Sequence, residues 1–202
     1  MYFIANQQKM NATKESKILY GEYLPKKISI QDYLKEAIEN SDPHTDICKF
    51  MLEHGQKFNE RFNEHPEKII NLGPQMKNAK CHGNSMFYSF MIGVKQPYLL
   101  KKINFVTGFY AVSAKGVVLD HNEHAIVHHS FLTYEGKVFD CTSLVFKPNL
   151  YDITEYFGVS FSLETVNNVL GKLFGDFSPN ESSENPIPPI MILKDEPCLA
   201  PT

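Results

Sequence analysis

A cysteine placed just ahead of a strongly apolar run constrains this chain most. Ala79-Lys80-Cys81-His82-Gly83-Asn84-Ser85 leads directly into Met86-Phe87-Tyr88-Ser89-Phe90-Met91-Ile92, which stops at Gly93. The run is apolar on nearly all sides, so it is expected to form the buried central helix of the domain. A thiol at the start of a helix meets unpaired backbone N–H groups and the positive end of the helix dipole, and both favour the thiolate. An isolated cysteine is more simply a buried structural thiol. Lys80, His82, Gly83 and Asn84 are poor core neighbours, however, and they favour a nucleophile. Gly83 is expected to let backbone approach closely, and Asn84 or Ser85 to hydrogen-bond near the first turn. His82 is expected to be partly exposed beside the thiol, where it modulates the thiol's acidity.

About 45 residues downstream stands His128-His129-Ser130-Phe131-Leu132-Thr133-Tyr134-Glu135-Gly136-Lys137-Val138-Phe139-Asp140-Cys141-Thr142. Ala125 to Tyr134 reads as a strand, Glu135-Gly136 as a turn and Lys137 to Cys141 as the returning strand of a hairpin. Side chains alternate along a strand, so His129 and Phe131 share one face and His128 takes the other. A two-residue turn at 135–136 sets 131 opposite 140, which makes His129 and Asp140 diagonal neighbours. Cys81, His129 and Asp140 are together the parts of a nucleophilic site: thiol, base, and the carboxylate that orients the base. An oxyanion hole needs two donors. The backbone N–H of Cys81 is one candidate, and the side-chain amide of Gln75 or Asn78 is the other.

The remaining chain reads as scaffold. Residues 1–28 form a lightly patterned segment in which Tyr20, Tyr23 and Leu24 lay a short stretch on the domain surface. Ser29 opens a helix with Asp32 at capping spacing, and Ile30, Tyr33, Leu34, Ala37 and Ile38 form its apolar stripe. Asp42 is expected to cap a second helix that carries Ile47, Phe50, Met51, Phe58 and Phe62 to its end near His65-Pro66. Its stripe is read as packing against the core rather than as a partner-binding face. Ile103 to Val112 reads as a strand and Gly116 to Leu119 as a short apolar piece. An irregular segment leads through Pro148 to Tyr156-Phe157-Gly158-Val159-Ser160-Phe161, and Ser162 caps a last helix. From Ser178 the composition turns to Ser, Asn, Glu and Pro, which predicts an extended arm, 178–202, docked through Ile187, Ile190, Met191 and Leu193. The domain proper is then 29–177, with a helical part (29–80) and a Cys-His-Asp core (81–177). Substrate specificity is expected in 93–102, 113–123 and 143–160.

Composition excludes several classes. A chain of 202 residues with 43% hydrophobic content suits one globular domain, and a net charge of −3 with scattered Lys and Arg is no nucleic-acid footprint. No apolar run approaches the ~20 residues of a membrane span, and Met1-Tyr2-Phe3-Ile4-Ala5-Asn6 turns polar too soon for a signal peptide. The expectation is a soluble chain, cytoplasmic or exported by a leaderless route. Cys48, Cys81, Cys141 and Cys198 include no CxxC pair and are read as free thiols, with Cys48 and Cys141 in the core and Cys198 in the arm.

The order Cys, His, Asp resembles the papain-like and transglutaminase-like cysteine hydrolases. The local pieces look like a bacterial and phage branch that shows Cys-x-x-Asn-Ala, a Gly-Tyr strand, His-Ala-Trp and Gly-x-x-x-Asp-Pro-Thr. They stand here as Cys81-His82-Gly83-Asn84-Ser85, Gly108-Phe109-Tyr110, His129-Ser130-Phe131 and Gly136-Lys137-Val138-Phe139-Asp140-Cys141-Thr142. Tyr156-Phe157-Gly158-Val159 also looks like that branch. The match covers about residues 75 to 165. Phe131 replaces the usual tryptophan, and Cys141 replaces the proline, which frees a backbone N–H. Gln75 resembles the papain pattern, in which a glutamine six residues before the cysteine serves the oxyanion hole. The resemblance implies an α+β fold: N-terminal helices and a central cysteine-bearing helix on an antiparallel sheet. It implies cleavage or transfer at an amide, thioester or ester of a protein or peptide, without a cofactor.

Two other readings stand beside it. One is a protein-binding module on the same fold. The other is a metal-dependent hydrolase built from Asp120, His121, Glu123, His124, His128 and His129. That metal reading is weakened because on a strand His124 and His128 lie ~13 Å apart, and His121 and His124 read better as solvated loop residues near the site mouth. The expected function is a cysteine hydrolase or acyltransferase (protease, deamidase or transglutaminase-like), with features compatible with a bacterial effector acting on host protein.

Overall fold

The computed structural model describes residues 22–24, 27–77, 80–114, 124–145, 151–173 and 189–200. Helices and strands are mixed, and the strands form one antiparallel sheet. In spatial order it runs β1 (Glu22–Leu24), β4 (His124–Tyr134), β3 (Ile103–Ala114), β6 (Tyr151–Ser162) and β2 (Gln56–Phe58). A sixth strand, β5 (Lys137–Phe139), pairs with β4 on the same side as β1. The expected strand at Ile103–Val112 is therefore present and central. Part of the stretch expected to be irregular is a strand: residues 151–162 pair along their length with β3. The close Gly108–Gly158 pairing belongs to this contact, since a Cβ at Gly108 would overlap the Phe157 carbonyl oxygen and the Gly158 Cα.

The first helix, α1 (Ile30–Glu39), starts where its capping box places it. Ser29 Oγ accepts the Asp32 N–H at 3.1 Å, and Ile30, Tyr33 and Leu34 are buried. The second, α2 (Thr45–His54), is shorter than its stripe suggests. It ends at Gly55, whose backbone is extended, and the chain enters β2 at once. Phe58 therefore lies on a strand edge-on to Phe131, and Phe62 stacks on Tyr134. Asp42 does not occupy the N-cap position; that is His44, whose own N–H the Asp42 carboxylate accepts at 2.8 Å.

Helix α3 (Cys81–Lys95) carries the cysteine at its first position. It is not buried all round. Asn84, Ser85, Tyr88, Ser89 and Ile92 face the sheet, whereas Phe90 and Val94 are more than half exposed. The short helix α4 (Cys141–Val145) follows β5 directly. Helix α5 (Leu163–Leu173) begins, as expected, with the Thr165 N–H on Ser162 Oγ at 3.0 Å.

Of the expected C-terminal arm, residues 189–200 are described, and part of it is helical rather than extended. Residues Pro189–Leu193 form a helical turn, α6, and Ile190 and Leu193 are completely buried. Lys194 reaches Asp46 at 2.6 Å, and the Leu199 N–H bonds the Ser160 carbonyl at 2.9 Å. Met191 is more exposed, and Ile187 lies outside the described residues. Five residues are too few to be helical by composition, but two apolar side chains are enough to dock it.

The sheet separates two apolar clusters. The larger holds Tyr88, Ile92, Phe105, Phe109, Ile126, Leu132 and Phe139 beneath α3. The smaller, on the opposite face, holds Val106, Phe131, Val138 and Tyr156. No helix among the described residues is long and apolar enough to cross a membrane.

Candidate active site

Three elements converge at one edge of β4. β1 pairs with residues 124–126 on that edge and β5 with residues 132–134, so among the described residues 127–131 have no strand beside them there. The first turn of α3 fills the gap. The hairpin supplies the rest. Glu135 and Gly136 both adopt positive φ, the backbone of a tight two-residue turn, and Leu132 pairs with Phe139 in the register expected.

His129 lies on the face of β4 away from the body of α3. Its ring is edge-on to Tyr110 at 4.4 Å and stacked near Phe131. Its Nε2 bonds Asp140 Oδ2 at 2.8 Å, with both side chains buried. That leaves Nδ1 for Cys81, whose sulfur interacts with the ring. The sequence-derived trio is thus brought together.

Asp140 is not a strand residue, as the hairpin reading had it. It follows β5 and caps α4. Oδ1 accepts the N–H groups of Thr142 and Ser143 at 3.2 and 3.0 Å, while Oδ2 accepts Ser143 Oγ at 2.6 Å, Tyr156 OH at 3.0 Å and His129. Oδ1 holds the backbone of the helix start, while Oδ2 holds the imidazole together with the Ser143 and Tyr156 hydroxyls. Sequence reasoning missed Ser143 and Tyr156. The Asp-x-x-Ser spacing of 140 and 143 is a capping signal that points to the former; nothing local points to Tyr156.

The charges follow from this packing. Burial works against the Cys81 thiolate, but the His129 ring and the Ser130 backbone N–H outweigh it and hold the thiol below its ordinary value. Burial likewise opposes a charged His129, and the Asp140 carboxylate and Cys81 overcome it, so its pKa is raised. Asp140 is held down despite burial by His129 and by Ser143. Behind the trio, His82 and His128 go the other way: burial above all, with the charge of His129 adding to it, keeps both neutral, with His82 pushed down to about 3.

The supporting residues hold positions other than those expected. Asn84 does not serve the first turn of its helix. Its side chain accepts the N–H of Lys77 and donates to the Lys77 carbonyl and to Thr142 Oγ1, anchoring the loop before the cysteine. Gln75 is exposed on that loop, in a 3-10 turn at Gly73–Gln75, and Asn78 lies outside the described residues. A Cβ at Gly83 would meet open space, so no backbone approaches there. His82 is half-buried and turned to the sheet, with Nδ1 2.7 Å from Ser130 Oγ and its ring 4.8 Å from that of His128.

His124 is buried on β4 rather than solvated at a site mouth. Asp120, His121 and Glu123 lie outside the described residues. Among the described residues no group of three His, Cys, Asp or Glu side chains could hold a metal. Cys48 and Cys141 are buried, Cys198 is half-buried, and all four thiols are free. Of the stretches expected to set specificity, 93–102 starts ~18 Å from Cys81, twelve residues along a helix of 1.5 Å rise; 156–160 is buried in the sheet, whereas Asp152 and Thr154 on the same strand are exposed. Residues 115–123 and 146–150 lie outside the described residues.

No family model, curated protein or solved structure matches the chain.

Proposed function

We propose that this chain is a cysteine-nucleophile acyl-transfer enzyme of the papain-like and transglutaminase-like type. The observation that carries the reading is the buried 2.8 Å bond from His129 Nε2 to Asp140 Oδ2, which leaves the opposite ring nitrogen beside the Cys81 thiol.

Cys81 gives its proton to His129 and attacks the carbonyl carbon of an amide, thioester or ester. The carbonyl π bond opens onto oxygen, and the developing oxyanion is met by the Cys81 backbone N–H at the start of α3. As the tetrahedral adduct collapses, the imidazolium protonates the leaving amine, thiol or alcohol, and the acyl group remains on sulfur. His129 then takes a proton from the second nucleophile. Water gives a hydrolase (a protease or deamidase), and an amine gives a transglutaminase-like transferase. Asp140 fixes the imidazole and stabilises its charge throughout. The substrate class is a protein or peptide, and no cofactor is used.

The test is acyl trapping. Incubation with p-nitrophenyl acetate, followed by peptide mass mapping, is expected to place one acetyl group on Cys81 in wild type and none in His129→Ala. Absence of acetyl on Cys81, together with iodoacetamide labelling no faster than at Cys198, would leave a binding module as the better description.

A further inference from the structure

One residue of β4 makes three separate contacts with the cysteine-bearing turn. The N–H and C=O of a strand residue point to the same edge, and those of Ser130 point into the gap between β1 and β5. Its carbonyl accepts the Ser85 hydroxyl at 2.8 Å, and its N–H is directed at the Cys81 sulfur. Its own side chain lies on the α3 face, where Oγ shares a 2.7 Å hydrogen bond with His82 Nδ1. Residues 81, 82 and 85 of α3 are therefore all fastened to residue 130.

These contacts are needed because the helix start has no side-chain cap of its own. Lys80 occupies the N-cap position and makes no side-chain bond to the first turn. The sulfur must also reach past the sheet edge to meet His129, which projects from the far face. The pose of the first turn relative to β4 thus decides whether thiol and imidazole meet.

We infer that Ser130 is the positioning residue of the nucleophile: through its hydroxyl on His82 and its carbonyl on Ser85 it holds the first turn of α3 where its N–H and the His129 ring both face the Cys81 sulfur. The inference rests on the reading of Cys81 as nucleophile. It extends to His82, which serves as the neutral partner that the Ser130 hydroxyl requires. His82 is sealed against the buried ring of His128, whose two nitrogens have no hydrogen-bond partner among the described residues. The titratable groups around the sulfur are His129 on β4, Asp140 after β5 and Cys141 on α4, with His82 and His128 behind them.

The experiment is the pH dependence of iodoacetamide labelling at Cys81 in the full chain. Ser130→Ala deletes only the hydroxyl, and His82→Phe keeps a ring against His128 while deleting Nδ1. Each is expected to raise the labelling midpoint by about one pH unit, the scale of one hydrogen bond near a charge. Ser130→Thr is expected to restore it. The double variant is expected to shift no further than either single one, because both remove the same bond. Since His82 is neutral, no charge is lost with it. An unchanged midpoint in both single variants, or a double-variant shift equal to the sum of the two, overturns the inference. If Ser130→Ala does not fold, His82→Phe against wild type decides the same point. A wild-type midpoint at the value of a free thiol would instead defeat the nucleophile reading itself, and His129→Ala separates that failure from this one.

Discussion

Tyr156 donates its phenolic proton to Asp140 Oδ2 at 3.0 Å, the same oxygen that receives His129. Burial and the neighbouring carboxylate hold that phenol protonated well above its ordinary range, so it remains a donor throughout the working pH. Tyr156→Phe is expected to cost about 1.5–3 kcal/mol of stability, the value of a hydrogen bond to a charged group. It is also expected to slow acyl transfer on the order of 10-fold by loosening the carboxylate. Urea melts and esterase rates check the two effects separately.

Asp140→Asn keeps the shape but removes the charge that orients His129. Acyl transfer is expected to fall on the order of 10³-fold or more, with the cap of α4 largely kept because an amide oxygen also caps helices. Rates against circular dichroism distinguish this from unfolding.

The pH profile of acyl transfer should be bell-shaped. Cys81 titrates below its ordinary value of 9.0 and His129 above its ordinary 6.5. On the proposed mechanism, acyl transfer is expected to fall as pH drops through the thiol's value, which protonates Cys81, and as pH rises through the imidazole's, which deprotonates His129. His129→Ala is expected to abolish the low-pH onset of labelling.

Acid should unfold the chain through His82 and His128. Both have folded-state values below 6.5, with His82 at about 3, so the unfolded chain binds protons that the folded chain refuses. The contribution of these two groups is full above 6.5 and is lost as pH falls from there toward 3. Asp140, depressed from 3.8 to about 2, adds a further loss below 3.8. His129 runs the other way: its contribution is complete below 6.5 and is lost only as pH rises through its folded value. His128→Phe is expected to flatten the decline between pH 6.5 and 4, as measured by urea midpoints.

Ile190 and Leu193 of the arm are part of the core, and both are fully buried. Leu193→Ala is expected to cost about 2–5 kcal/mol; a change below ~0.5 kcal/mol, typical of surface sites, would show that α6 does not dock in solution.

Features that depend on a few adjacent residues were legible from the chain. Ser29 and Ser162 cap their helices because a hydroxyl at that spacing meets the third N–H. Glu135-Gly136 sets the hairpin register because a two-residue turn admits one pairing, and strand alternation sent His129 and His128 to opposite faces. Cys81 at the first position of a helix followed from the same local logic. Decisions made by distant residues were not legible. The 12-residue strand β6 looks irregular along the chain and gains its pairing only from β3. Asp140 sits past the strand, capping α4 with one oxygen and accepting from Tyr156, sixteen residues on, with the other. The stripe of α2 broke at Gly55 because Phe58 had a strand partner, and α6 formed within a Pro-rich arm because Ile190 and Leu193 found the core. His124 and His128 became buried because β1 and α3 cover them. Local spacing fixes which way a side chain points; burial and hydrogen-bond partners depend on what the rest of the chain brings against it.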